Sequence, residues 1–134
     1  MKFVLASYGT RGDVEPLVVV GRELQHRGHD VRMAVPPDSV AFAEAAGLTA
    51  TPYGLESQAW LDQYRDFWTS IFSTFWRVRQ IRRTWREMWA ESDRCWGLMT
   101  AALTSITDGA DLLLSGQAYQ EPAANIAEYY DVPF

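Results

Sequence analysis

The apolar run Phe3-Val4-Leu5-Ala6 leads directly into Ser7-Tyr8-Gly9-Thr10-Arg11-Gly12-Asp13-Val14-Glu15-Pro16, and this junction constrains the fold more than any other stretch. A buried strand ends there, the chain turns on two glycines, and an amphipathic helix is expected from about Pro16 to Arg27. Glycines at 9 and 12 allow a sharp turn and let a ligand approach the backbone closely. The N-terminus of the following helix offers unpaired N–H groups and a positive dipole end, which suit an anion. Asp13 is expected at the mouth of the loop, where open α/β sheets usually bind ligands.

The rest of the chain extends this pattern. Gly28 stands where a helix-ending glycine belongs, and Asp30–Val35 alternates as a second strand closed by Pro36-Pro37. A short helix capped by Asp38 or Ser39 ends at Gly47, and Leu48–Tyr53 reads as a third strand. Strand, helix, strand, helix, strand at this spacing implies right-handed parallel crossovers and a doubly wound α/β sheet. From about residue 57 to 107 a helical stretch interrupts the alternation. Trp68, Ile71, Phe72, Phe75, Val78, Ile81, Trp85, Met88 and Trp89 recur at helical spacing as a stripe expected to be mostly core. Arg79, Arg82, Arg83 and Arg86 recur on another face, and Gly97 is a candidate break. Asp111–Ser115 reads as a fourth strand and Glu121–Tyr130 as a helix with Pro122 in its first turn. Asp131-Val132-Pro133-Phe134 reads as the start of a fifth strand, so the sheet is expected to be incomplete at its C-terminal end, in a fragment of a longer protein.

Composition narrows the function classes. A net charge of −5 over 134 residues argues against a nucleic-acid partner. All six tryptophans lie between Trp60 and Trp96, and residues 57–96 carry seven arginines against five carboxylates. The chain is therefore an acidic scaffold with a basic, aromatic insertion. With one cysteine and no basic, apolar leader, it is expected in the cytoplasm. The tryptophan–arginine segment suits either an apolar ligand pocket or peripheral contact with the inner face of a membrane. His26 and His29 flank the Gly28 turn with no cysteine nearby, so no metal site is expected. Cys95 reads as a packed small apolar residue.

The motif Gly9-Thr10-Arg11-Gly12-Asp13-Val14-Glu15-Pro16, with Arg27-Gly28-His29-Asp30-Val31-Arg32, resembles the N-terminal domain of GT-B glycosyltransferases. The similarity is to the antibiotic, glycolipid and sterol branch that uses nucleotide sugars. Ala110-Asp111-Leu112-Leu113-Leu114-Ser115, the helix after it and Asp131-Val132-Pro133-Phe134 also fit that domain. The resemblance implies a Rossmann-like parallel sheet with flanking helices, residues 1–134 forming part of an acceptor-binding domain. The nucleotide-sugar domain would be absent from this chain. It further implies transfer of a sugar from a UDP- or dTDP-sugar to a hydroxyl of a hydrophobic acceptor, with inversion and without a metal. This fragment alone would be inactive and could self-associate.

Many relatives carry His-x-x-Pro where this chain has Asp13-Val14-Glu15-Pro16, and in the antibiotic branch that aspartate is taken as the general base. Thr10, Arg11 and Gly12 match positions that face the donor diphosphate. Trp68, Phe72, Trp76 and Gln117 are candidates for the acceptor pocket. Each has a plainer alternative: Asp13 can cap the helix, Arg11 can pair with Glu15, and the aromatic residues can be core. Two other functions remain open at this stage. A dinucleotide-dependent oxidoreductase would use Asp30 on a ribose, although the loop lacks G-x-G-x-x-G. A non-catalytic module would use the aromatic segment as an interaction or membrane surface.

Overall fold

The computed structural model describes residues 1–73 and 78–134. Four parallel strands form one sheet: β1 (Lys2–Ala6), β2 (Asp30–Val35), β3 (Thr49–Pro52) and β4 (Leu112–Ser115), in spatial order β3-β2-β1-β4. Helix α1 (Arg11–His26) crosses from β1 to β2, and a 3-10 turn (Pro37–Ser39) with α2 (Val40–Ala45) crosses from β2 to β3. Helices α3 (Ser57–Ser73) and α4 (Val78–Thr107) lie between β3 and β4 in the chain, and α5 (Gln120–Tyr129) follows β4.

Both faces of the sheet are covered, which is why its strands read as nearly continuous apolar runs. Successive β1 side chains point to opposite faces. Phe3 and Leu5 join Val14, Val18, Val31, Met33 and Leu48 in the core under α1 and α2. Val4 and Ala6 join Met99, Leu103, Leu113 and Ile126 in the core under α4 and α5.

Three expectations need correction. Helix α1 begins at Arg11, five residues before Pro16, so Arg11, Gly12 and Asp13 form its first turn. Pro16 is the sixth residue of α1, so the helix forgoes the bond that an N–H there would make to the Gly12 carbonyl. Gly97 does not break α4, whose second half buries Cys95, Met99 and Leu103 against the sheet in the crossover to β4. The aromatic stripe is helical but largely faces water. Trp68, Phe72, Trp85 and Trp89 are exposed, and Phe67, outside the stripe, is the buried ring of α3. The step of three and four residues gives a helix but not which of its faces meets the core. Phe75 and Trp76 lie outside the described residues.

Beyond α5, the Leu113 N–H donates to the Pro133 carbonyl at 2.9 Å, so the last residues run beside β4.

Candidate functional site

The strand order fixes where a ligand can lie. The chain winds outward from β1 through β2 to β3, then returns to place β4 on the other side of β1. Connections therefore leave β1 and β4 in opposite directions and open a crevice at their carboxyl ends. A cleft of about 180 Å³ lies there, lined by Tyr8, Gly9, Thr10 and Asp13 after β1, Ala118 and Tyr119 after β4, and Ser57, Trp60 and Leu61 at the start of α3.

Asp13 is the carboxylate among the residues that line this cleft. Its Oδ2 accepts hydrogen bonds from the Thr10 backbone N–H at 2.8 Å and from the Thr10 hydroxyl at 3.0 Å. The capping role is therefore present, and it employs one carboxylate oxygen. The Ser7 hydroxyl donates to the Asp13 carbonyl at 2.9 Å, tying the first turn of α1 to the end of β1. Gly9 makes the arrangement possible: its φ is 134°, and a Cβ there would stand 2.8 Å from the Asp13 Cγ and closer still to Oδ2. Gly12, by contrast, is an ordinary helical residue whose Cβ would touch only the Thr10 hydroxyl at 3.7 Å. The tight turn thus needs one glycine rather than two. Asp13 is exposed in this chain.

Arg11 turns away from the cleft. It pairs with Glu15 at 3.4 Å and its guanidinium sits 4.6 Å from the centre of the Phe42 ring. Of the four motif residues, Thr10 and Asp13 line the cleft; Arg11 and Gly12 flank it. Trp68 and Phe72 lie farther along α3, and Gln117 is exposed beside the lining residue Ala118. Trp76 lies outside the described residues.

Behind the cleft sits a buried polar–aromatic cluster that the sequence did not reveal. Tyr8 packs edge-on against Tyr119 at 5.0 Å and Tyr53 at 6.2 Å. The Cys95 thiol donates to the Tyr8 hydroxyl at 3.7 Å. Burial, and then Cys95, hold the Tyr8 phenol far above its ordinary pKa, and burial does the same for Tyr53. Tyr119 is raised too, chiefly by burial, against an opposing hydrogen bond from Trp60. These tyrosines stay neutral at physiological pH and act as apolar walls with polar tips. Tyr119 occupies the left-handed region at φ 56°, uncommon outside glycine, where it begins α5. Asp38 orients the opposite wall: its Oδ2 accepts from the Ser57 hydroxyl at 2.7 Å and the Gln58 N–H at 3.3 Å, capping α3.

The geometry weighs against a ribose role for Asp30. It is the first residue of β2, paired in register with Lys2, at the end of the sheet opposite the cleft, and its carboxylate bonds Arg32 at 3.2 Å.

Comparison with known proteins agrees with the fold and the motif. Residues 3–106 match the model of the glycosyltransferase family 28 N-terminal domain. A protein of Mycobacterium tuberculosis named as an uncharacterized glycosyltransferase is 48% identical over 134 residues, covering 99% of this chain and 31% of its own length. The vancomycin aglycone glucosyltransferase of Amycolatopsis orientalis is 28% identical over 109 residues, covering 81% of this chain and 26% of its own. Among solved structures, glycosyltransferase VinC in complex with dTDP shares the fold, with a TM-score of 0.57 at 21% identity, over 99% of this chain and 33% of that one. The chain thus spans about a third of the length of the curated relatives it matches. Its parallel sheet, its glycine turn and the match over residues 3–106 make this chain a member of the glycosyltransferase family 28 N-terminal domain family, with the Rossmann-like half of a GT-B fold.

Proposed function

We propose that this chain forms the acceptor side of an inverting sugar transfer and that Asp13 is its general base. The observation that carries the reading is the division of labour on the Asp13 carboxylate. Thr10 fixes Oδ2 and Asp13 lines an apolar cleft, while Oδ1 takes no hydrogen bond from the described residues. An acceptor hydroxyl entering between Trp60 and Tyr119 would give its proton to that oxygen. The acceptor oxygen would then attack the anomeric carbon of a nucleotide sugar from the opposite side as the bond to the diphosphate breaks. Preorganisation by Thr10 and Gly9 keeps the base from needing to reorient during reaction.

A UDP- or dTDP-sugar is the proposed donor, bound by sequence outside these 134 residues in a protein the size of the relatives. Thr10 and the first-turn N–H groups of α1 would face its diphosphate. Arg11 would join them after leaving Glu15, an exposed pair worth less than about 1 kcal/mol.

The test is Asp13→Asn in the intact enzyme, which keeps the size of the side chain and removes the base. Turnover should fall by about two orders of magnitude or more with folding unchanged. Near-normal turnover would reduce Asp13 to a helix cap.

A further inference from the structure

One wall of the cleft is the beginning of α3, where Ser57, Trp60 and Leu61 line it, and that stretch is held from outside its own helix. Asp38 lies 19 residues before Ser57, in the 3-10 turn after β2. The sequence suggests it as a cap for the short helix that follows, but its carboxylate reaches α3 instead. Asp38 Oδ2 accepts from the Ser57 hydroxyl at 2.7 Å and from the Gln58 N–H at 3.3 Å. One oxygen thereby serves the hydroxyl of a buried serine and one of the first N–H groups of α3, which have no partner within the helix. Its negative charge also faces the positive end of a 17-residue helix. The mounting of Asp38 is stiff. Pro36 and Pro37 restrict the backbone ahead of it, Pro36 is fully buried, and the Ser39 N–H donates to the Pro36 carbonyl at 2.8 Å. The chain entering α3 has a second fixed point at Gly54, with φ 75°, where a Cβ would stand 2.9 Å from the Tyr8 ring and 3.1 Å from Cys95 Sγ. Beyond these two points α3 rests chiefly on α4, and Tyr64, Trp68 and Phe72 leave it for water.

We propose that Asp38 is a positioning residue of the site: through Ser57 and Gln58 it holds the first turn of α3 in place beside Asp13 and so sets the opening through which a hydroxyl reaches that carboxylate. The inference rests on the acceptor-site reading above and names the residue that fixes its geometry. Asp38 does not itself line the cleft, so it acts through Ser57 and Trp60 rather than by touching the acceptor. Without its bonds the start of α3 gains other placements. Acceptor affinity then falls with the fraction of molecules whose wall stands in place. Asp13, with its own bonds to Thr10, keeps its chemistry once an acceptor is bound.

The test measures transfer by the intact enzyme from UDP-glucose or dTDP-glucose to 4-methylumbelliferone, a small phenol serving as the probe acceptor. Asp38→Ala should raise the KM for the probe about five- to tenfold, the worth of such a cap, with kcat and the donor KM changed less than about twofold. Asp38→Asn, whose amide oxygen still accepts from Ser57, should recover most of the loss. Ser57→Ala should raise the KM in the same direction and add little on top of Asp38→Ala. An unchanged KM in Asp38→Ala would overturn the proposal. So would a kcat that falls at unchanged KM, the mark of simple destabilisation, or an Asp38→Asn variant as impaired as the alanine one. Trp60→Ala separates the two claims. If it leaves the probe KM unchanged, the acceptor-site reading itself falls; if it raises that KM while Asp38→Ala does not, only the role of Asp38 falls.

Discussion

Replacing Gly9 with alanine asks whether the turn and the carboxylate are one unit. At φ 134° the residue lies where side-chain-bearing residues rarely go, a strain of about 1–3 kcal/mol. The new Cβ would meet the Asp13 carboxylate, 2.8 Å from Cγ. Asp13 could swing away only by surrendering its bonds to the Thr10 N–H and hydroxyl. Loss of such a cap costs about 0.5–2 kcal/mol at an exposed helix start. Together the two effects should destabilise the fold by about 1.5–5 kcal/mol, a large part of the stability of a domain this size. Urea unfolding followed by circular dichroism measures this as a lowered midpoint at unchanged slope. In an Asp13→Ala background the clash with the carboxylate and the cap are both gone, leaving the backbone strain and a 3.1 Å contact with the Cβ of residue 13. The cost of Gly9→Ala should therefore be smaller there by about 0.5–2 kcal/mol. An equal cost in the two backgrounds would refute the coupling of Gly9 to Asp13.

Gly12→Ala should behave oppositely, because its Cβ has room and the position is helical; a gain of about 0.5 kcal/mol in the same assay is expected, and a loss above 1 would contradict it. Tyr53→Phe removes a buried hydroxyl with no partner among the described residues and should raise stability by about 1 kcal/mol in urea unfolding. The raised phenols of Tyr8 and Tyr53 also set a pH dependence. Below pH 10 both states are neutral and the contribution is constant; above it the unfolded chain loses protons that the folded one keeps, so stability falls as pH rises, by about 1.4 kcal/mol per pH unit for each buried tyrosine. Unfolding curves between pH 8 and 11 should show that loss, and Tyr8→Phe should flatten it; a slope unchanged by the substitution would exclude Tyr8 as a source.

The sequence by itself determined the α/β architecture, the glycine turn and the place of Asp13 at the cleft beside that turn. These are local facts: a strand buried on both faces must read as a run such as Phe3–Ala6, and a backbone at φ 134° beside a carboxylate requires Gly9. The helical periodicity from residue 57 onward was equally legible. What periodicity could not supply was orientation. A stripe at three- and four-residue spacing looks the same whether it meets the core or the solvent, so the exposure of Trp68 and Phe72 and the burial of Phe67 were decided by how α3 sits on the rest of the molecule. The division of α4 into a solvent-facing half and a crossover half, with Met99 and Leu103 on the sheet, came from the same source. The cleft itself is wholly tertiary. Tyr8, Ser57, Trp60 and Tyr119 are separated by up to about a hundred residues and converge only because β4 returns to the far side of β1. Sequence spacing governs neighbours along one element, while convergence between elements depends on strand order, which no single segment encodes.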